Sequence, residues 1–251
     1  MKAVRIHGHG NEDVLVWEEV SLPKVKDDQV LVEIKAAAIN HLDIWIRKGI
    51  PGVSLPMIIG SDGAGVIAEI GKGVDKFNLG DEVIINPLLF CGTCPSCLNQ
   101  QENQCYSMGI LGETTNGTNC EFIALNQRNL IKKPSNISFE TAASFPLAGQ
   151  TSYQMLINRA KLKKDDIVFI WGASSGVGSF GLQIAKAYDC KVIATGGSKK
   201  KCKYASKLGA DLTLNHYKDD IVSLVKDYTK GKGVNVVFEH SGFETWSTSM
   251  K

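Results

Sequence analysis

The apolar run Ile167-Val-Phe-Ile-Trp171 stops on Gly172-Ala-Ser-Ser-Gly-Val-Gly178. A helical period then carries the chain through Tyr188 to a second apolar run, Lys191-Val-Ile-Ala-Thr195. Apolar runs without alternation fit strands buried on both faces, as in a parallel sheet covered by helices. Strand, tight glycine turn, helix and strand make a βαβ unit. The pattern continues with a lysine-rich helix over 199–208, a short strand near Leu212 to Leu214, a helix over 219–230 and a fourth strand, Val234 to Glu239. Four such strands predict an α/β fold with an open, doubly wound parallel sheet. The sequence stops at Lys251, twelve residues past that strand. A six-stranded sheet of this kind needs more, so a C-terminally truncated chain is expected.

The first half has another rhythm. In Gln29 to Ala36, residues Val30, Val32, Ile34 and Ala36 share one face, the period of a half-buried strand. Further strands are expected over Val14 to Val20, Gly65 to Ile70 and Glu82 to Asn86, with little long helix before residue 138. The course of the 45–55 loop is not legible. Two domains follow: a loop-rich β domain over 1–148 and a nucleotide-binding α/β domain over 149–251.

Hydrophobic content of 43% and charged content of 22% describe an ordinary globular chain. No apolar run is long enough to span a bilayer. The net charge of +2, with no arginine stripe, leaves nothing to grip a phosphate backbone, so neither nucleic acid nor membrane is an expected partner. The N-terminus, Met1-Lys-Ala-Val-Arg-Ile-His, lacks the apolar core of a secretory signal, so a cytoplasmic location is expected.

In a reducing compartment seven cysteines are free or metal-bound. Four of them, Cys91, Cys94, Cys97 and Cys105, stand at x2, x2 and x7 spacing, where short loops can fold four thiolates around one tetrahedral ion. A structural zinc lobe over about 88–108 is expected. A closed four-cysteine site has no open coordination position and does no chemistry. The alternatives are a disulfide pair, which the compartment disfavours, and an iron–sulfur centre, whose usual spacing differs. Cys120, Cys190 and Cys202 read as small buried hydrophobes.

Between strand and helix, the small residues Gly172, Ala173, Ser174, Ser175, Gly176, Val177 and Gly178 let backbone amides approach a pyrophosphate at a helix N-terminus. A literal GxGxxG occurs at Gly176, Gly178 and Gly181, but the turn must begin where the strand ends, so 172–178 is the working frame. The bland reading is a tight turn that only packs helix on sheet. About 20 residues on, a site for NAD would place a carboxylate on the ribose 2′-hydroxyl. The stretch Thr195-Gly-Gly-Ser-Lys-Lys-Lys201 has none. Gly196, Ser198 and Lys201 can instead receive a 2′-phosphate, so NADP(H) is the expected cofactor. A lysine run at a helix start can also be merely solvated.

With these features, Ala36-Ala-Ala-Ile-Asn-His-Leu-Asp43, Leu55-Pro-Met-Ile-Ile-Gly-Ser-Asp-Gly63 and Leu147-Ala-Gly-Gln-Thr-Ser-Tyr153 resemble the medium-chain dehydrogenase/reductase family, across essentially the whole chain. That family contains the zinc-type alcohol dehydrogenases and the quinone oxidoreductases. The resemblance implies a GroES-like β domain followed by a Rossmann domain, with the active site in a cleft between them. It also implies a homodimer or homotetramer.

In the family's alcohol dehydrogenases a cysteine, the histidine of Gly-His-Glu and a second cysteine hold a catalytic zinc. The matching positions here read Asn40, Ser61 and Leu147, none a good zinc ligand. His41, next to the first, reads as a packing or hydrogen-bonding residue. The quinone-reductase branch fits better. It implies Asn40 and Asp43 near the nicotinamide, Thr151 against its ring, and Ser61 and Asp62 lining the vacated metal pocket, able to donate to or hold a proton for the substrate oxygen. Ser61 and Asp62 could equally be turn residues.

The leading expectation is hydride transfer between NADP(H) and a small quinone- or enone-type carbonyl, with one structural zinc and no catalytic one. The alternatives are a zinc-dependent alcohol dehydrogenase and a catalytically silent nucleotide-binding protein.

Overall fold

The computed structural model describes residues 1–251, which fall into two compact units, Met1–Leu147 and Ala148–Lys251. In chain order the first unit contains β1 (Lys2–Ile6), β2 (Leu15–Glu19), β3 (Gln29–Ala38), α1 (His41–Lys48), β4 (Met57–Ile58), β5 (Asp62–Ile70), β6 (Glu82–Ile85), β7 (Leu88–Leu89), α2 (Pro95–Leu98), β8 (Gly109–Ile110), β9 (Phe122–Asn126), β10 (Leu130–Lys132) and α3 (Phe139–Ala143). Helix α4 (Pro146–Tyr153) carries the chain into the second unit through a π-helical turn, Gln154–Arg159. There follow β11 (Ile167–Ile170), α5 (Gly176–Ala187), β12 (Lys191–Gly196), α6 (Lys199–Lys207), β13 (Leu212–Asn215), α7 (Ile221–Tyr228), β14 (Val236–Phe238) and α8 (Phe243–Ser249).

The first unit is built on an antiparallel sheet of order β10-β6-β5-β3-β9, with a smaller sheet β2-β1-β4. The period-two face of β3 holds for Val30, Val32 and Ile34, which pack with Ile67, Val83, Ile85, Ile123 and Leu125. Leu31 on the other face is buried too, and a register shift after Ile34 places Ala36 against Ala64 and Ile84 instead. Two points differ from the sequence reading. The illegible 45–55 stretch begins as helix, because α1 buries Ile46 beside Ile6 and Met57 while Arg47 and Lys48 close its last turn. Strand β5 starts three residues earlier than Gly65, so Asp62 lies on the strand opposite Ala38 and is not a turn residue.

The second unit has four parallel strands in the order β13-β12-β11-β14. Alternation within β11 serves both faces. Val168 and Ile170 pack with Leu182 and Ala185 of α5, while Phe169 and Trp171 pack with Ile193, Leu214 and Ile221 on the opposite side. Each buried aliphatic or aromatic side chain contributes about 1.5–3 kcal/mol, which explains why an uninterrupted apolar run survives here. No helix is long and apolar enough to cross a membrane.

Candidate functional site

Three segments of the first unit meet at Asp62. Asn40, the N-cap of α1, donates from Nδ2 to Asp62 Oδ2 across 2.9 Å. The Leu147 amide, at the start of α4, donates to the other carboxylate oxygen at 2.8 Å. Thr118 Oγ1 fixes the strand by donating to the Asp62 carbonyl at 2.8 Å. The side chain is 1% exposed, and burial pushes its carboxyl up to about 6 against those two donors, with the nearby Asp43 charge adding to the rise.

Asp43 stands at the third position of α1, where its Oδ2 accepts the Asn40 amide at 2.7 Å. The Gly60 amide also reaches it, yet burial keeps its carboxyl above the usual range. Asp43 Oδ1, Ser61 Oγ and Arg47 Nη1 are buried without a hydrogen-bond partner. Arg47 turns Nη2 outward to Glu12 at 3.0 Å.

The sequence reading paired Ser61 with Asp62. The structure separates their roles, since Asp62 makes the inter-segment bonds and Ser61 is a fully buried hydroxyl with none. Leu147 was seen only as a side chain that cannot bind metal, and its amide was missed. Asn40, Ser61 and Leu147 offer an amide, a hydroxyl and an alkyl group, and both Asp62 oxygens already accept N–H groups. This donor set does not fit a catalytic zinc. His41 is exposed and packs edge-on against Trp45, with centroids 4.8 Å apart.

The cysteines behave differently. Sγ of Cys91, Cys94, Cys97 and Cys105 lie within 4.8 Å of one another, with Cys94–Cys97 at 3.5 Å, Cys91–Cys105 at 3.6 Å and Cys91–Cys97 at 3.9 Å. Zn–S bonds of about 2.3 Å in a tetrahedron set sulfurs ~3.8 Å apart, so the four fit zinc. Amides of Thr93 and Cys94 donate to Cys91 Sγ and draw its thiol down to about 5, while those of Cys91 and Ser107 donate to Cys105 Sγ. Gly92 holds φ +75, a left-handed turn, and Arg128 grips the Cys91 carbonyl beside it.

In the second unit Gly172 ends β11 at φ +53, and Ala173 donates back to the Thr195 carbonyl at 2.9 Å. Ser174 follows, and Ser175 caps α5, its Oγ accepting the Gly178 amide at 3.0 Å. The first amides of the helix, Gly176 and Val177, have no acceptor within it and are free for an anion. A Cβ on Gly178 would stand 2.5 Å from the Gly172 carbonyl oxygen. Gly181, the last glycine of the literal GxGxxG, instead packs α5 against Phe238 of β14, where a Cβ would stand 2.8 Å from the ring. The close backbone approach therefore lies within 172–178, and Gly181 serves helix-on-sheet packing.

Gly196 ends β12 against the start of α6, whose N-cap is Ser198, its Oγ accepting the Lys201 amide at 3.3 Å. Lys199, Lys200 and Lys201 are exposed, as a phosphate site or a solvated helix start requires. Thr151 sits exposed on α4. The sequence reading missed Thr195 and His216. Thr195 Oγ1 accepts the Gly172 amide at 2.9 Å and lies 3.1 Å from His216 Nδ1, tying the glycine turn to the end of β13. A cavity of about 520 Å³ opens here, lined in part by Trp171, Gly172, His216 and Tyr217.

Residues 26–135 match the model of the alcohol dehydrogenase GroES-like domain, and residues 176–251 that of the zinc-binding dehydrogenase domain. The chain is 32% identical over 248 residues to quinone oxidoreductase 1 of Escherichia coli, covering 98% of itself and 68% of that relative. Among solved structures it is similar to an NAD-dependent alcohol dehydrogenase, with a TM-score of 0.96 and 41% identity over all of this chain and 74% of the other. It is also similar to Escherichia coli quinone oxidoreductase complexed with NADPH, with a TM-score of 0.83 and 30% identity over all of this chain and 69% of the other.

Proposed function

Because this chain belongs to the medium-chain dehydrogenase/reductase family, we propose that it is an NADP(H)-dependent reductase of quinone- or enone-type carbonyls, with one structural zinc and no catalytic one. The observation that carries this reading is the Asp62 carboxylate held between Asn40 Nδ2 and the Leu147 amide, where the family's alcohol dehydrogenases hold a metal.

The amides at the start of α5 would hold the pyrophosphate, Ser198 and Lys201 the 2′-phosphate, and Thr151 would face the nicotinamide. A dinucleotide bound there would supply hydride chemistry toward an electron-poor acceptor carbon. Reduction leaves negative charge on the acceptor oxygen, which must take a proton. Asp62, with its carboxyl near 6, can hold that proton and donate it, becoming a carboxylate that the two N–H donors stabilise. Asn40 orients the carboxyl, and Asp43 positions Asn40 through its amide. Ile39 and Trp45, exposed beside this segment, offer an apolar rim to a planar acceptor.

The likeness to an NAD-dependent alcohol dehydrogenase favours a second reading, zinc-dependent alcohol oxidation. The test is NADPH consumption with quinone and enone acceptors, alongside zinc content, before and after dialysis against a strong chelator. Turnover that persists with about one zinc per chain supports the reductase. About two zincs per chain, with turnover lost when the more labile one leaves, overturns it in favour of the dehydrogenase.

A further inference from the structure

Behind the lysine run the second unit carries a group that the reading above leaves unused. His216 follows β13, and its Nδ1 lies 3.1 Å from Thr195 Oγ1. That hydroxyl accepts the Gly172 amide, and in the tautomer where it donates its own hydrogen to Nδ1 the neutral ring carries its hydrogen on Nε2. Nε2 faces the turn after β12, since a Cβ placed on Gly197 would stand 3.0 Å from it. The ring is held edge-on by Tyr217, with centroids 4.5 Å apart, and leans on Trp171 at 6.3 Å. In that tautomer Nε2–H points at Gly197, between Gly196 and Ser198, where the ribose 2′ end of the cofactor is assigned.

We infer that His216 is a specificity-determining residue that binds the cofactor 2′-phosphate through Nε2 and takes up a proton when that phosphate arrives. This rests on the assignment of a 2′-phosphate to the Ser198–Lys201 turn. In the free protein, burial and then the Lys201 ammonium hold the ring below its ordinary pKa, so it is neutral at pH 7. A phosphate beside both groups offsets that repulsion and favours the imidazolium, which keeps the Nε2 donor and takes the added proton on Nδ1, where the Thr195 hydroxyl turns its hydrogen away and accepts it. Other charged groups around the cavity are Asp219 and Asp220 before α7, Glu244 on α8, and Lys251. All are common to both cofactors, so the difference between NADPH and NADH isolates the 2′-phosphate.

The test is calorimetric titration of the intact chain with NADPH and with NADH at pH 7.5, in buffers of different ionisation enthalpy. At that pH a free phosphate monoester, with a second pKa of about 6, is mostly dianionic and contributes little. Uptake of a fraction of a proton with NADPH but not with NADH is expected, and His216→Gln should abolish it. From pH 6 to 8 the NADPH-over-NADH preference should fall more steeply in the native protein than in His216→Gln, by at most ~10-fold per pH unit for one fully linked proton. Equal proton uptake with both cofactors in the native protein overturns the inference without recourse to a variant. If both proteins prefer NADPH with the same pH profile, the 2′-phosphate assignment stands and the role of His216 is overturned. If neither distinguishes the cofactors at any pH, the assignment itself falls, and the inference with it.

Discussion

Asn40 Nδ2 sits 2.9 Å from Asp62 Oδ2, so the residue that caps α1 also binds the first residue of β5. The bond holds the carboxyl down against the larger effect of burial, which raises it to about 6. If Asp62 donates the proton, kcat/KM should fall as pH rises through about 6, where the acid form is lost. Removing the amide in Asn40→Ala should move that limb to higher pH, and Asp62→Asn should erase it while lowering kcat/KM by about 10²- to 10⁴-fold. A limb unmoved in Asn40→Ala would argue that another group titrates.

The same carboxyl ties stability to pH. The folded chain keeps the proton up to about 6, whereas an unfolded aspartate releases it near ~3.9. Folded protein therefore binds more protons between those values, and this group's contribution declines as pH rises across the window, by about 3 kcal/mol in all. Denaturant unfolding from pH 4 to 7 should show a shallower decline for Asp62→Asn.

At the cysteine lobe, Cys105→Ser should cut bound zinc from about one per chain to a small fraction, read by metal analysis. The loss should destabilise the first unit by several kcal/mol, since zinc binding to a structural site is folding free energy. Gly92→Ala should also weaken zinc retention, because φ +75 strains alanine and its Cβ would run into the Arg128 guanidinium.

Two glycines of the second unit should separate binding from packing. Gly181→Ala drives a Cβ into Phe238, which is 1% exposed, and should destabilise by about 1–3 kcal/mol in chemical unfolding. Gly178→Ala meets backbone at the Gly172 carbonyl, so the turn itself must shift, and dinucleotide affinity should fall much further than stability. Equal effects on both properties in both variants would mean that the turn only packs helix on sheet.

The α5 cap gives a smaller signal. Ser175→Ala leaves the Gly178 amide without its acceptor and should cost about 0.5–2 kcal/mol, measured by the unfolding midpoint.

What could be read from the sequence was what local spacing encodes. The βαβ rhythm follows from apolar runs cut by glycine, and the cysteine lobe from ligands a few residues apart, so both were legible. Asp62 was visible as a residue but not as a junction, because Asn40 is 22 positions away and the Leu147 amide 85. A backbone donor leaves no mark in the sequence at all. His216 and Thr195, 21 positions apart, belong to different strand ends, and only the parallel pairing of β12 with β13 brings them together. Helix α1 escaped because its burial depends on Ile6 and Met57, strands away in sequence.

The Leu147 contact has a mutational side. Asp62 is gripped there by an amide, which nineteen of the twenty amino acids can provide equally and proline alone cannot. Position 147 should accordingly tolerate most replacements in a saturation screen, with proline the sharp exception, whereas position 40, which donates through its side chain, should tolerate few.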